Sequence, residues 1–148
     1  MAERFRLTLA QLNPTVGAIE ANADVARETW AKAREAGADM LAMTEMFVTG
    51  YQVQDLVMKP AFTQHAMRAV ERLAEDCADG PALGIGAPYR DGEHLYNAYY
   101  VLHVGRIRAL VLKHELPNYT VFDEKRLYRA GPVSGPLAKR LSRTALRA

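Results

Sequence analysis

The sequence predicts an α/β protein built on a mixed β-sheet, and three observations carry that prediction. Between Phe5 and Thr44 a loosely alternating apolar run, an amphipathic stretch and a second apolar run follow one another, the strand–helix–strand order of a parallel unit. A second amphipathic stretch runs from about Ala61 to Ala78. From Ala82 to Lys113 three β-rich runs alternate with short turns, as in an antiparallel meander.

The first strand is expected within Phe5 to Leu12, with Phe5, Leu7, Leu9 and Leu12 available to a core, and Asn13-Pro14 ends it. Ile19, Ala23, Ala26, Trp30 and Ala33 then recur at the spacing of one helical face, and Gly37 closes that helix. Trp30 reads as the core anchor of the helix rather than a ligand-stacking ring. Met40 to Thr44 is a short strand expected parallel to the first, and Glu45 follows it directly. Ligands of open α/β sheets gather outside the carboxyl ends of strands, so this carboxylate is well sited for chemistry. Gly50 and Tyr51 turn the chain away.

The second helix carries Phe62, Ala66, Ala69, Leu73 and Cys77 on its inner stripe. A cysteine in that register reads as a small buried hydrophobe, and no glycine-rich turn presents it as a nucleophile. His65 reads as a surface or boundary residue. The meander follows: Ala82 to Tyr89, the turn dipeptide Asp91-Gly92, Leu95 to Leu102, a turn at Gly105, then Ile107 to Lys113. His94, His103 and His114 are dispersed and form no metal motif. Pro117 has no N–H and a fixed φ, so the last strand should stop near Leu116 and leave Lys113 close to its exit. A lysine there is either a solvated edge charge or a cation delivered to a site.

The 148 residues suit one globular unit or a piece of one, and 49% hydrophobic with 24% charged residues excludes a disordered or collagen-like chain. No apolar run approaches the roughly 20 residues that cross a bilayer, and Glu3, Arg4 and Arg6 interrupt any signal-like start, so a cytoplasmic location is expected. With Cys77 as the only cysteine, neither an internal disulfide nor a cysteine metal site is expected. The formal charge of +2 is weighted by Lys139, Arg140, Arg143 and Arg147 near the end of the chain. The remaining body is mildly acidic, which argues against a nucleic-acid groove.

Two segments, Thr44-Glu45-Met46-Phe47-Val48-Thr49-Gly50-Tyr51 and Lys113 to Arg126, resemble the carbon–nitrogen hydrolase (nitrilase) superfamily. Ala10 to Gly17 looks like that family's opening strand and loop. Leu116-Pro117-Asn118-Tyr119, Val121-Phe122-Asp123-Glu124 and Arg126 are more specific, resembling the glutaminase branch found in glutamine-dependent NAD synthetases. The resemblance implies an α-β-β-α sandwich, of which residues 1–136 form an N-terminal part, and a Glu–Lys–Cys catalytic set. By motif position it makes Glu45 the general base and Lys113 the cation near the developing oxyanion. Glu124 matches a supporting glutamate, and Tyr51, Tyr119 and Phe122 match positions lining the glutamine pocket. It further implies glutamine as substrate and frequent homo-oligomerisation. In that branch ammonia passes to a separate synthetase domain, which uses ATP and magnesium to amidate deamido-NAD, so no cofactor is expected within this chain.

The family's nucleophilic cysteine lies in a later segment that this chain does not reach. After Pro136 residues 137–148 are basic and unlike the family, either an adventitious tail left by a frameshift or truncation, or a short amphipathic helix with Leu137, Leu141 and Ala145 on one side. The expectation is therefore a family member with base and lysine but without its thiol, catalytically incompetent by itself. A stand-alone nitrilase-type amidase and a non-catalytic binding protein on the same scaffold are the alternatives.

Overall fold

The alternation of helix-spaced and strand-spaced apolar residues builds one five-stranded sheet in the order β1-β2-β3-β4-β5, seen in a computed structural model that describes residues 4–133. Strands β1 (Leu7–Leu9) and β2 (Met40–Ala42) are parallel to each other, and β2 is parallel to β3 (Ala82–Asp91). The next strands, β4 (His94–His103) and β5 (Arg106–Leu112), continue from β3 as an antiparallel meander. The crossovers are helices α1 (Ile19–Glu35) and α2 (Pro60–Asp76). A short 3-10 segment, Gln54–Met58, leads into α2, and a four-residue helix, α3 (Glu124–Leu127), follows the meander. The expected mixed α/β fold is present, as one helix layer on one sheet.

The helical stripe read from the sequence is the buried one: Ile19, Ala23, Ala26, Trp30 and Ala33 of α1 all face the core. Trp30 donates its indole N–H to the Pro81 carbonyl at 2.8 Å, satisfying the one polar atom of its ring. On α2, Ala66, Ala69 and Leu73 are buried, Cys77 is 2% exposed, and Phe62 is only partly covered. Against these helices the sheet presents Leu41, Leu83, Ile85, Ala87, Ala98, Tyr100, Leu102, Leu110 and Leu112. Burying such side chains, at about 1.5–3 kcal/mol for each large aliphatic one, is the main force holding the layers together.

The first strand corrects an expectation. It is only three residues long, and Phe5, Leu7, Leu9 and Leu12 are exposed rather than buried. Strand alternation explains this: the pairing register aligns Leu9 with Ala42, Gly84, Val101 and Ala109, all on the sheet face turned away from the helices. Val111, on that same face through Tyr99 and Gly86, is 60% exposed. The last strand also ends at Leu112, four residues before the stop expected from Pro117. The proposed tail helix, with Leu137, Leu141 and Ala145, lies outside the described residues.

A second apolar cluster of Met46, Val53, Val57, Leu95, Leu116 and Tyr128 packs beneath the loops after β2 and β5. Those loops carry the residues that the motifs singled out.

Candidate active site

Glu45 begins the turn after β2, where two hydrogen bonds extend the parallel pairing beyond the strand: Met43 N–H to Gly84 O at 2.8 Å and Gly86 N–H to Thr44 O at 3.2 Å. The turn then folds back so that Val48 N–H donates to Gly86 O at 3.1 Å. This close approach requires glycine at position 86, because a Cβ there would lie 2.2 Å from Met46 N and 2.7 Å from Glu45 Cα. Met46 itself adopts the left-handed region, φ 51°, a conformation that costs a non-glycine residue free energy and is held here by complete burial. Asn22 of α1 fixes the other side of the turn. Its side-chain amide donates to Thr15 O and Val48 O at 2.8 and 3.1 Å, and its carbonyl accepts from Thr15 N at 2.9 Å.

Lys113 leaves β5 with its backbone clamped on both sides. Its N–H donates to Asn97 O at 2.9 Å, and its carbonyl accepts from Gly131 N–H at 2.9 Å. The side chain therefore emerges at a defined point on the helix-free face. Its ammonium lies 2.8 Å from Glu45 Oε1 and 3.0–3.1 Å from the two oxygens of Glu124. Residues 68 positions apart thus meet in one ion-paired cluster. Glu124, from α3, is 2% exposed and also accepts a hydrogen bond from the Tyr51 hydroxyl at 3.0 Å.

Partial burial works to lower the lysine pKa, but hydrogen bonds and charge from Glu45 and Glu124 outweigh it and hold Lys113 above the ordinary lysine value. The ammonium is consequently a fixed cation across the neutral range. The Tyr51 phenol is also raised, first by burial, and its bond to Glu124 adds to the shift against the lowering effect of Gln52. A tyrosine so placed is a neutral donor at neutral pH.

These groups open onto a cleft of about 360 Å³ lined by Asn13, Pro14, Thr44, Glu45, Tyr51, Lys113, Pro117 and Phe122. Glu124 sits behind Lys113 and Tyr51. Tyr119, predicted beside them, packs its ring edge-on against Phe122 with centroids 5.4 Å apart, remains 64% exposed, and is not one of the lining residues. Cys77 is likewise not among them: it caps α2 inside the main core, where burial pushes its thiol up to about 11. Among the described residues, no group of three or more His, Cys, Asp or Glu side chains is placed to hold a metal ion, and no helix is long and apolar enough to cross a membrane.

One residue of the cluster is absent from the sequence reading. Asn97 of β4, 2% exposed, donates its side-chain amide to Glu45 Oε1 at 2.6 Å. Together with Lys113 it fixes that oxygen, and its own backbone carbonyl fixes Lys113. The available signal is Asn97 itself, a lone amide in the otherwise apolar and aromatic run Leu95 to Leu102.

The sequence matches the carbon–nitrogen hydrolase family over residues 6–143. It is 60% identical over 137 residues to the glutamine-dependent NAD(+) synthetase of Rhodobacter capsulatus, an alignment covering 93% of this chain and 25% of that protein. A glutamine-dependent NAD(+) synthetase from Cytophaga hutchinsonii has a similar structure, with a TM-score of 0.84 at 25% identity over 88% of this chain and 22% of that one. The Acinetobacter baumannii synthetase, solved with ADP, gives 0.82 at 31% identity over 86% of this chain and 24% of that one. The chain therefore spans about a quarter of the length of these relatives. With the family match running through nearly all of its described residues and a sheet that superposes on those of the synthetases, this chain belongs to the carbon–nitrogen hydrolase family.

Proposed function

We propose that this chain forms the N-terminal part of a glutamine amidohydrolase unit of the NAD synthetase type, with Glu45 as general base, Lys113 as the oxyanion-facing cation and Glu124 as the carboxylate that supports both. The observation that carries this reading is the ammonium of Lys113, held between the Glu45 and Glu124 carboxylates at the edge of the cleft. Amide hydrolysis through a thioester begins with a thiol that loses its proton as its sulfur bonds to the substrate carbonyl carbon. Glu45 has the acceptor oxygens to take that proton and return it to the departing ammonia. The carbonyl oxygen becomes negative in the same step, and a cation kept protonated by two carboxylates is matched to it. Tyr51 and Phe122 form a polar-tipped aromatic wall suited to the aliphatic stem and amide of glutamine, and Tyr119 is assigned to its outer rim. In this reading ammonia goes to a synthetase unit, to which ATP and magnesium belong.

The thiol must come from outside this chain, since Cys77 is its only cysteine and is enclosed in the core. The chain alone is therefore expected to bind glutamine weakly and to release no ammonia. Calorimetric titration with glutamine, run beside an ammonia assay, tests both expectations. Turnover that Cys77→Ala abolishes overturns the catalytic assignment, and glutamine binding that is unchanged in Tyr51→Ala and Phe122→Ala overturns the pocket.

A further inference from the structure

Away from the active-site cleft, the end of β3, the start of β4 and the segment leaving α3 enclose a second cleft of about 300 Å³. Three arginines converge on it, Arg90, Arg126 and Arg129, together with His94 and one carboxylate, Glu93. The guanidinium groups are unequally satisfied. Arg126 is paired with Asp55 at 2.5 Å and Asp123 at 2.6 Å. Arg90 and Arg129 form no salt bridge among the described residues.

Arg90 is the more telling of the two. Its Nε is shut off from solvent without any hydrogen-bond acceptor, and its Nη2 makes only a 3.4 Å bond to the Met58 carbonyl. A guanidinium carries five N–H donors and no acceptor, so this one is partly desolvated with its Nε lacking an acceptor among the described residues. Arg129 is no better served: its Nη1 lies 2.5 Å from His94 Nε2. Arginine can only donate, and an imidazole nitrogen is a weak substitute for an anion as its partner.

The geometry points to this cleft as a binding site for a small molecule bearing more than one phosphate group. Planar guanidinium forks match phosphate oxygens two at a time, which a single ammonium cannot do. A polyvalent anion gives Arg90 and Arg129 the acceptors they lack, while Arg126 is already neutralised by its aspartates and frames the entrance. The position of Arg129 beside β4 is fixed independently of a ligand, because its backbone N–H donates to Leu95 O at 2.8 Å.

Inorganic pyrophosphate is the probe. Titrated into isotopically labelled chain at low salt, it is expected to bind saturably and to shift the amide signals of His94, Leu95 and Arg126 to Arg129 before any others. Arg90→Gln/Arg129→Gln is expected to weaken binding about tenfold or more, the effect of losing a charged hydrogen bond or two. Arg34→Ala/Arg72→Ala removes the same charge from the helical side and is expected to leave binding unchanged. Shifts spread over the whole surface, no saturation at millimolar pyrophosphate, or equal weakening by the two double variants overturns the assignment. The signal mapping on the unaltered chain decides the matter even if Arg90→Gln/Arg129→Gln folds poorly.

Discussion

Lys113 and Cys77 show how burial acts in opposite directions on two potentially reactive groups. Glu124 is buried behind Lys113, and its carboxylate depends on that ammonium and the Tyr51 hydroxyl for compensation. Lys113→Met is therefore expected to lower stability by about 3 kcal/mol in urea unfolding, since it strands a buried charge. Adding Glu124→Gln is expected to recover part of that loss, a non-additivity that separates a coupled pair from two independent sites. At Cys77 the raised thiol pKa means that the folded chain binds its proton more tightly than the unfolded chain does. Its contribution is full below the unfolded value of about 8.5 and is lost as pH rises through about 11. At pH 8 the native thiol is expected to resist a thiol-reactive dye that labels the urea-unfolded chain at once. Glu45 and Lys113 were legible because each directly follows an apolar run in the sequence and sits in a specific motif. Asn97 was not, because a buried amide in a strand declares its partner only once the fold supplies a carboxylate beside it.

At the scale of elements, the turn after β2 depends on what is absent from β3. Gly86→Ala would put a methyl carbon against the backbone of Glu45 and Met46. Backbone cannot yield as a flexible side chain does, so a loss of about 1–3 kcal/mol is expected, with displacement of Glu45 visible as altered signals for Asn97 and Lys113. The helices were readable from spacing alone because α1 and α2 each bury one face against a single layer. The meander was readable from Asp91-Gly92 and Gly105, where positive φ values of 59° and 70° suit glycine. The three-residue β1 was misread for a physical reason: alternation reveals that a strand has two faces, but not which of them meets the helices. The short α3 has too few residues to show a helical period, so it left no comparable trace.

At the scale of the molecule, the sheet has one face covered by α1 and α2 and another that carries Leu7, Leu9 and Val111 into solvent. Phe5 adds to the exposed apolar surface beside β1. Apolar patches of this kind favour association, and β1, the end strand of the sheet among the described residues, adds an edge. Light scattering is expected to show concentration-dependent self-association of the chain, and Leu9→Lys/Val111→Lys is expected to shift it toward monomer. The mixed α/β class was legible from element order. The openness of this face was not, since an apolar strand residue looks the same in sequence whether or not something lies over it.

The two halves of the sheet also differ in how far along the chain their partners lie. Hairpins β3–β4 and β4–β5 join neighbours in sequence, whereas β1 reaches β2 only after the whole of α1 has intervened. Local pairings close with little loop entropy and distant ones with more. Lys113 leaves the half whose strands are joined by tight turns and Glu45 the half whose strands are joined through helices, so their contact exists only when both halves have come together. The ion pair at the cleft is thus a built-in reporter of assembly: whatever reads its formation reads the joining of β2 to the antiparallel meander.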